Sequence, residues 1–208
     1  MGELLLVDKL ENPEGIVADL RDHGAISLPL LKEEARLRLI EEANSCFFRV
    51  VDREAGGVIQ EAEACQVFSN GSLCIALKNE LQDLLYRSLT EYNPYPFRTT
   101  LNFDTLYLLR YKAGSIGITP HFDSPEYVNL MAGFILRGSG RFYICGDLGK
   151  TNSRELNTTP GNIILMVAPG FIPNSSRQYH YLDRVTKDRD SLWIRQSKWG
   201  GAYPRLTA

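Results

Sequence analysis

The chain contains three histidines, and two of them sit where they can share a metal ion. His121 opens the triplet His121-Phe122-Asp123, and His180 follows 59 residues later. On a strand, residues i and i+2 project to the same side. His121 and Asp123 can therefore reach one ion while Phe122 packs elsewhere, and the fold must bring in His180 as a third ligand. Two neutral imidazoles and one carboxylate suit Fe(II): they occupy one face of its octahedron and leave the opposite face open to substrates. Nine residues beyond His180 lies Arg189-Asp190-Ser191. A planar guanidinium holds a carboxylate bidentately, and the Ser191 hydroxyl, on the same side of a strand, can add a hydrogen bond. Such a pair is what a second substrate carrying a carboxylate requires.

Residues so placed need strands to carry them. After Pro94-Tyr95-Pro96 the texture becomes short β-rich runs broken by Gly, Pro and Asn. The runs are 105–111, 127–136, 141–145 after a Gly138-Ser139-Gly140 turn, 163–167 after Pro160-Gly161-Asn162, and the stretches around 180–185 and 191–196. The first hundred residues read as helix-rich. Asn12-Pro13-Glu14 opens a helix that Gly24 ends, with His23 at its close as a cap rather than a ligand. Ala25 to Pro29 reads as a strand. Leu37, Leu39, Ile40, Ala43, Phe47 and Phe48 give helical spacing over about 31–51. Gly56-Gly57 marks a loop. A second long helix spans about 71–92, with Leu73, Ile75, Leu81, Leu84, Leu85 and Leu89 as its buried stripe. The expected architecture is α+β: a double-stranded β-helix, a jelly-roll or cupin-like core, over about residues 101–200, with helices of about 1–100 packed against it. The length fits one domain, 1–208.

Composition narrows the function classes. A hydrophobic fraction of 44% and a charged fraction of 23% are those of an ordinary globular chain. A net charge of −2 gives no reason to expect a polyanion, so no nucleic-acid partner is anticipated. No apolar run is long enough to span a bilayer, and the opening Met1-Gly2-Glu3-Leu4-Leu5-Leu6 lacks the basic start of a secretory signal and the Ser or Thr of a myristoylation site. Cys46, Cys65, Cys74 and Cys145 lack metal-ligand or redox spacing and read as free thiols of a cytoplasmic protein. The sequence implies no particular oligomeric state.

The order and spacing of His121, Asp123, His180, Arg189 and Ser191 resembles the Fe(II)/2-oxoglutarate-dependent oxygenases. The resemblance covers about residues 105–197, and the helical first half carries no motif of that family. It implies Fe(II) held by His121, Asp123 and His180 as the catalytic centre. It also implies 2-oxoglutarate as co-substrate, with its far carboxylate on Arg189 and Ser191. O2 would be consumed, and succinate and CO2 released. The first ligands would lie near the second core strand, the third on the seventh, and the arginine at the start of the eighth. Arg110-Tyr111-Lys112-Ala113-Gly114 is similar to a family segment whose tyrosine often helps hold 2-oxoglutarate, which would be Tyr111. Some members place the carboxylate-binding arginine fifteen residues after the last ligand, at Arg195 here, so Arg195 is a second candidate.

Two departures restrict the reading. Leu109 stands where the nucleic-acid dealkylating members often carry asparagine, and Asp123 stands where halogenating members have Ala or Gly. The expected activity is hydroxylation of a small molecule, such as an amino acid or natural-product intermediate. The alternatives are a protein hydroxylase or nucleic-acid demethylase of the same superfamily, and a jelly-roll binding module without turnover. Phe122, Tyr127, Asn129, Met131, Phe134, Arg137, Phe171, Arg177 and Tyr179 are candidates for the pocket wall. A basic face gathering Lys32, Arg36, Arg38, Arg177 and Arg184 would favour a macromolecular substrate.

Overall fold

Asn12 and Pro13 start the first helix as their residue types require. The Asn12 side chain accepts from the Gly15 amide, Pro13 occupies the first turn, and Gly24 ends the helix at φ 73°. The structure, a computed structural model, describes residues 4–90, 92–172 and 175–199; Met1, Gly2 and Glu3 of the opening segment lie outside the described residues. In chain order the elements are α1 (Pro13–His23), β1 (Ala25–Pro29), α2 (Glu33–Ser45), β2 (Arg49–Val50), β3 (Glu54–Ala55), β4 (Val58–Ile59), β5 (Glu63–Cys65), α3 (Leu73–Leu89), β6 (Thr105–Tyr111), β7 (Ile118–His121), β8 (Tyr127–Cys145), β9 (Arg154–Leu156), β10 (Asn162–Val167) and β11 (Tyr179–Ser197). Among the described residues no helix is long and apolar enough to cross a membrane.

The helical half departs from expectation at both long helices. α2 stops at Ser45, because Cys46 turns extended (φ −74°, ψ 144°) and leads into β2, which pairs with β5. Phe47 is therefore outside the helix and exposed, and Leu37 is also exposed. Phe48 instead lies under the Arg110 guanidinium, 4.0 Å from its ring centroid. α3 buries Leu77, Leu81, Leu84, Leu85 and Leu89 together with Cys74, while Leu73 and Ile75 stay partly exposed. The first half also supplies strands: β1 pairs with β10, and β5 pairs with β6.

One antiparallel sheet runs β1-β10-β8-β11-β6-β5-β2, with β7 added on β11 and β9 on β8. Its spine is the pair β8 and β11, each of 19 residues, matched from Tyr179 opposite Cys145 to Ser197 opposite Tyr127. Two breaks expected along this stretch are not there. Gly138-Ser139-Gly140 does not turn the chain, and the runs on either side of it are one strand. Likewise the runs around 180–185 and 191–196 are one strand, so His180 and Arg189 share β11. The ribbon bends where a turn was expected. Gly138 takes φ 86°, its register with β11 shifts between Asp183 and Lys187, and Arg184 adopts φ 51°. Bending lets the Tyr179-side half of β11 pair with β7 while the Ser197-side half pairs with β6. Two walls result, as in a jelly roll.

Period-two alternation then sorts side chains between two faces. Leu130, Ala132, Phe134 and Leu136 of β8, Ile163, Leu165 and Val167 of β10, and Leu192 and Ile194 of β11 join the helices in one apolar cluster. Met131, Ile135, Ile164, Met166 and Trp193 face the other way and meet Tyr111, Phe142 and Leu182 in a second. Arg189, Ser191 and Arg195 alternate with Leu192 and Ile194, and so are placed on the inner face beside Trp193.

The bend depends on a missing side chain. A Cβ on Gly138 would stand 2.0 Å from the Asp188 carbonyl oxygen, at a backbone angle that L-residues avoid. Gly138→Ala should destabilise the protein by about 3 kcal/mol or more. Gly56→Ala, at φ 59° with open space around it, should cost about 1 kcal/mol. Urea unfolding of the two variants checks the contrast; equal losses would mean that the bend tolerates a side chain.

Candidate metal and carboxylate centre

His121 ends β7, and the register places it directly opposite His180 on β11. Their ring centroids are 4.2 Å apart. The Nδ1 atom of His121 lies 2.9 Å from the Thr119 carbonyl oxygen, and that of His180 lies 3.0 Å from the Gln178 carbonyl oxygen. A carbonyl only accepts, so Nδ1 is the protonated nitrogen in each ring and Nε2 keeps its lone pair. This outer contact is what commonly orients a metal-binding histidine. Asp123 follows just beyond the strand, its Oδ2 3.7 Å from His180 Nε2. One ligand atom from each of His121, Asp123 and His180 lies within 4.8 Å of the other two. Donors at right angles on an ion with bonds of about 2.1 Å are about 3 Å apart, so small side-chain movements suffice for one cation to bind all three.

The charges are arranged to suit a cation. Burial and the neighbouring His121 pull His180 down to about 4, so its ring is neutral near pH 7. Burial is the largest influence and would raise the Asp123 carboxyl, but Arg195, His180 and His121 together hold the group below its ordinary value. Arg195 Nη2 reaches both carboxylate oxygens, at 3.2 and 3.5 Å. Its guanidinium lies 5.2, 5.1 and 5.3 Å from the ring centroids of Tyr107, Tyr127 and Trp193.

Arg189 is in the opposite situation. It is 1% exposed, and its Nε and Nη1 have no acceptor. Burial lowers its pKa to about 10, which still leaves it charged. A buried guanidinium without an acceptor is costly, and a carboxylate is the ligand that would complete it. Tyr111 sits directly opposite Arg189 in the strand register, is buried, and receives a 2.8 Å hydrogen bond from Gln60 Nε2. Ser191 is also buried, two residues along. Of the two arginines weighed for a carboxylate, Arg195 is occupied by Asp123 and Arg189 is not.

The wall candidates separate. Tyr127 and Met131 belong to the inner cluster. Phe122 stacks on Tyr179 with centroids 3.6 Å apart. Arg177 lies 4.7 Å from the Phe122 centroid and donates to the Asp123 carbonyl at 3.2 Å. The other four are not wall residues. Phe134 and Phe171 face the helices, because their strand parity or loop position turns them outward. The Asn129 amide donates to Gln196 and Thr99. Arg137 is drawn to the fully buried Asp190, with Nε 2.8 Å from Oδ2 but no well-directed hydrogen bond.

Two contributors escaped sequence reasoning. Gln60 lies in a half with no motif. Asp190 stood between two marked residues, but its parity puts it on the opposite face from Arg189, where Arg110 Nε holds it at 2.9 Å. The alternation itself could have flagged Asp190 as a charge needing a partner of its own.

No family model matches the sequence, and no curated protein matches it. Solved structures do. An oxidoreductase of the 2OG-Fe(II) oxygenase family from Burkholderia pseudomallei superposes with a TM-score of 0.67 at 16% identity, covering 99% of this chain and 100% of that one. A prolyl-4-hydroxylase from Pseudomonas putida gives 0.64 at 11%, covering 90% of this chain and 100% of its own. A prolyl hydroxylase from Trichoplax adhaerens, solved with a hypoxia inducible factor oxygen degradation domain peptide fragment, gives 0.66 at 12%, covering 91% of each. The fold is therefore the jelly roll of 2OG-Fe(II) oxygenase structures, and at the mouth of that fold the chain gathers two imidazoles and a carboxylate.

The buried His180 ring makes the metal-free protein acid-sensitive. A histidine whose pKa is lowered on folding stabilises the fold fully above its unfolded value, about 6.5, and loses that contribution as the pH falls towards its folded value, about 4. Thermal melts of the metal-free protein should show stability declining across this interval, and His180→Gln should flatten the decline. A variant that melts with an unchanged pH profile would contradict the burial argument.

Proposed function

We propose that this chain is an Fe(II)- and 2-oxoglutarate-dependent oxygenase that hydroxylates a small molecule. The carrying observation is the buried Arg189 guanidinium without an acceptor, on the same inner face as the His121, Asp123 and His180 cluster. A metal alone would leave that cation unexplained; a co-substrate with a metal-binding end and a carboxylate tail accounts for both. In this reading His121 and His180 present Nε2 to the iron, and Asp123 supplies its carboxylate. Arg189 binds the far carboxylate of 2-oxoglutarate, with Tyr111 and Ser191 beside it. Arg195 keeps its hold on Asp123 and so orients the ligand carboxylate. Phe142 touches both walls, 5.5 Å from His180 and 5.7 Å from Trp193 by ring centroids, and helps exclude water from between them. When bound, iron and 2-oxoglutarate supply the oxidising chemistry, with O2 consumed and succinate and CO2 released.

A compact substrate is supported by the aromatic enclosure of Tyr107, Tyr127 and Trp193 around Arg195. Protein hydroxylation is the second reading. It is favoured by the likeness to prolyl hydroxylases, one of them solved with a peptide. Nucleic acid is less favoured: Lys32 lies 3.6 Å from Asp8, Arg36 pairs with Glu33, and Arg177 donates to the Asp123 carbonyl. A reducing cytoplasmic setting suits iron(II) and the four free cysteines.

The decisive assay is succinate release with Fe(II), 2-oxoglutarate and O2, scored across metabolites and peptides. Stimulation by peptides alone would replace the small-molecule reading with the second one. Asp123→Ala and His180→Ala should each lower turnover by more than about 100-fold; near-normal turnover in both would refute the assignment.

Arg189→Met should act in two directions at once. It should raise the requirement for 2-oxoglutarate about 100-fold by removing a charge-assisted anchor. It should also stabilise the metal-free protein by about 1–3 kcal/mol, because an unpaired buried cation becomes an apolar side chain. Kinetics and thermal melts read the two effects separately. A less stable variant with an unchanged requirement would shift the anchor to Arg195.

A further inference from the structure

We infer that Gln60 is a positioning residue for 2-oxoglutarate: its side-chain amide donates to the Tyr111 hydroxyl and thereby makes that hydroxyl a donor towards the carboxylate held at Arg189. The inference rests on the co-substrate role proposed for Arg189.

The argument is one of hydrogen-bond polarity. A tyrosine hydroxyl has one proton to give and lone pairs to receive. Gln60 Nε2 donates to it at 2.8 Å, so the hydroxyl keeps its own proton for another acceptor. Directly across the strand pair is Arg189, which can only donate. Side chains opposite one another on a sheet face are about 5 Å apart at Cβ, so both address the same space. Gln60, Tyr111 and Arg189 thus form a group of donors, and the ligand that completes it is one that only accepts. A carboxylate fits this requirement.

The backbone that carries Gln60 is firmly held. It bridges to Ile118 of β7, and its own amide donates to Arg53 O at 2.8 Å. On either side, the Ile59 amide donates to Thr119 Oγ1 at 2.9 Å and the Glu61 amide to Gly117 O at 3.0 Å. Thr119 is also the residue whose carbonyl receives His121 Nδ1. The segment 59–61 therefore braces the strand that carries the first metal ligand, and its Gln60 side chain aims Tyr111. A neutral amide matters here. A carboxylate at position 60 would accept the Tyr111 proton, add negative charge beside Arg189, and compete with the co-substrate.

The test is equilibrium binding of 2-oxoglutarate to the full chain loaded with Mn(II), without O2 and so without turnover, followed by calorimetry. Gln60→Met should weaken binding about tenfold, and Gln60→Glu about a hundredfold. In a Tyr111→Phe background, Gln60→Met should have no further effect, because the hydroxyl it acts through is gone. Mn(II) affinity should be the same in all variants, which reports that the metal cluster and fold are intact. Gln60→Glu, nearly identical in shape to the wild type, carries the test if Gln60→Met does not fold. Unchanged affinity in the Gln60 variants, or the same loss with and without the Tyr111 hydroxyl, would overturn the role. A wild-type protein that binds Mn(II) but not 2-oxoglutarate would overturn the co-substrate reading itself.

Discussion

End-to-end pairing of β8 with β11, interrupted only by register shifts, is the constraint on which the rest of the molecule depends. Two strands of 19 residues pair on both sides of a bend where their register shifts, and so form both walls of the jelly roll. The two ends of β11 thereby lie on opposite walls: His180 beside β7 and Arg195 beside β6, with Asp123 between them, 3.7 Å from one and 3.2 Å from the other. Arg189 falls between the bend and the mouth. The distance from the His121, Asp123 and His180 group to the Arg189 guanidinium is thus set by strand length and bend position, both properties of backbone pairing rather than of loops. Sites on paired strands are held more narrowly than sites on loops.

Electrostatics inside the walls are unbalanced in a way that indicates ligands. The inner face holds Arg189 and Arg195 against Asp123, and only Arg195 is engaged by it. On the outer face of the same strand, Asp190 is buried between Arg110 and Arg137. Such pairs seldom add net stability, but removing one partner is strongly destabilising because it strands a buried charge. The cluster therefore fastens β11 at the point where its other face presents Arg189. One strand carries a satisfied charge outward and an unsatisfied one inward.

The likeness to solved oxygenases extends over 90% to 99% of the chain while identity stays between 11% and 16% for the structures compared. A jelly roll tolerates such divergence because its inner and outer faces need only alternate apolar residues of suitable volume. Within this fold the chain brings together a small set of specific chemistry: two imidazoles, a carboxylate and a buried guanidinium.

The sequence by itself determined most of that set. His121, Asp123 and His180 were legible because so few histidines exist to choose from, and because a two-residue spacing on a strand has one geometric meaning. α1, β1, β6 and β10 were legible from caps, turn residues and period. The sequence misreported continuity, since glycines read as a turn at 138–140 are equally the residues of a bend, and only pairing with β11 decides between them. It also overextended α2, because Phe47 and Phe48 keep helical spacing after the backbone has turned to pair β2 with β5. The difference between Arg189 and Arg195 came only from the tertiary structure. Both have the same parity and residue type, and they differ only in whether a carboxylate from another strand reaches them. The Gln60 contact was invisible for the same reason: it joins Tyr111 across 51 residues of chain, and no local pattern encodes which side chain a distant amide will meet.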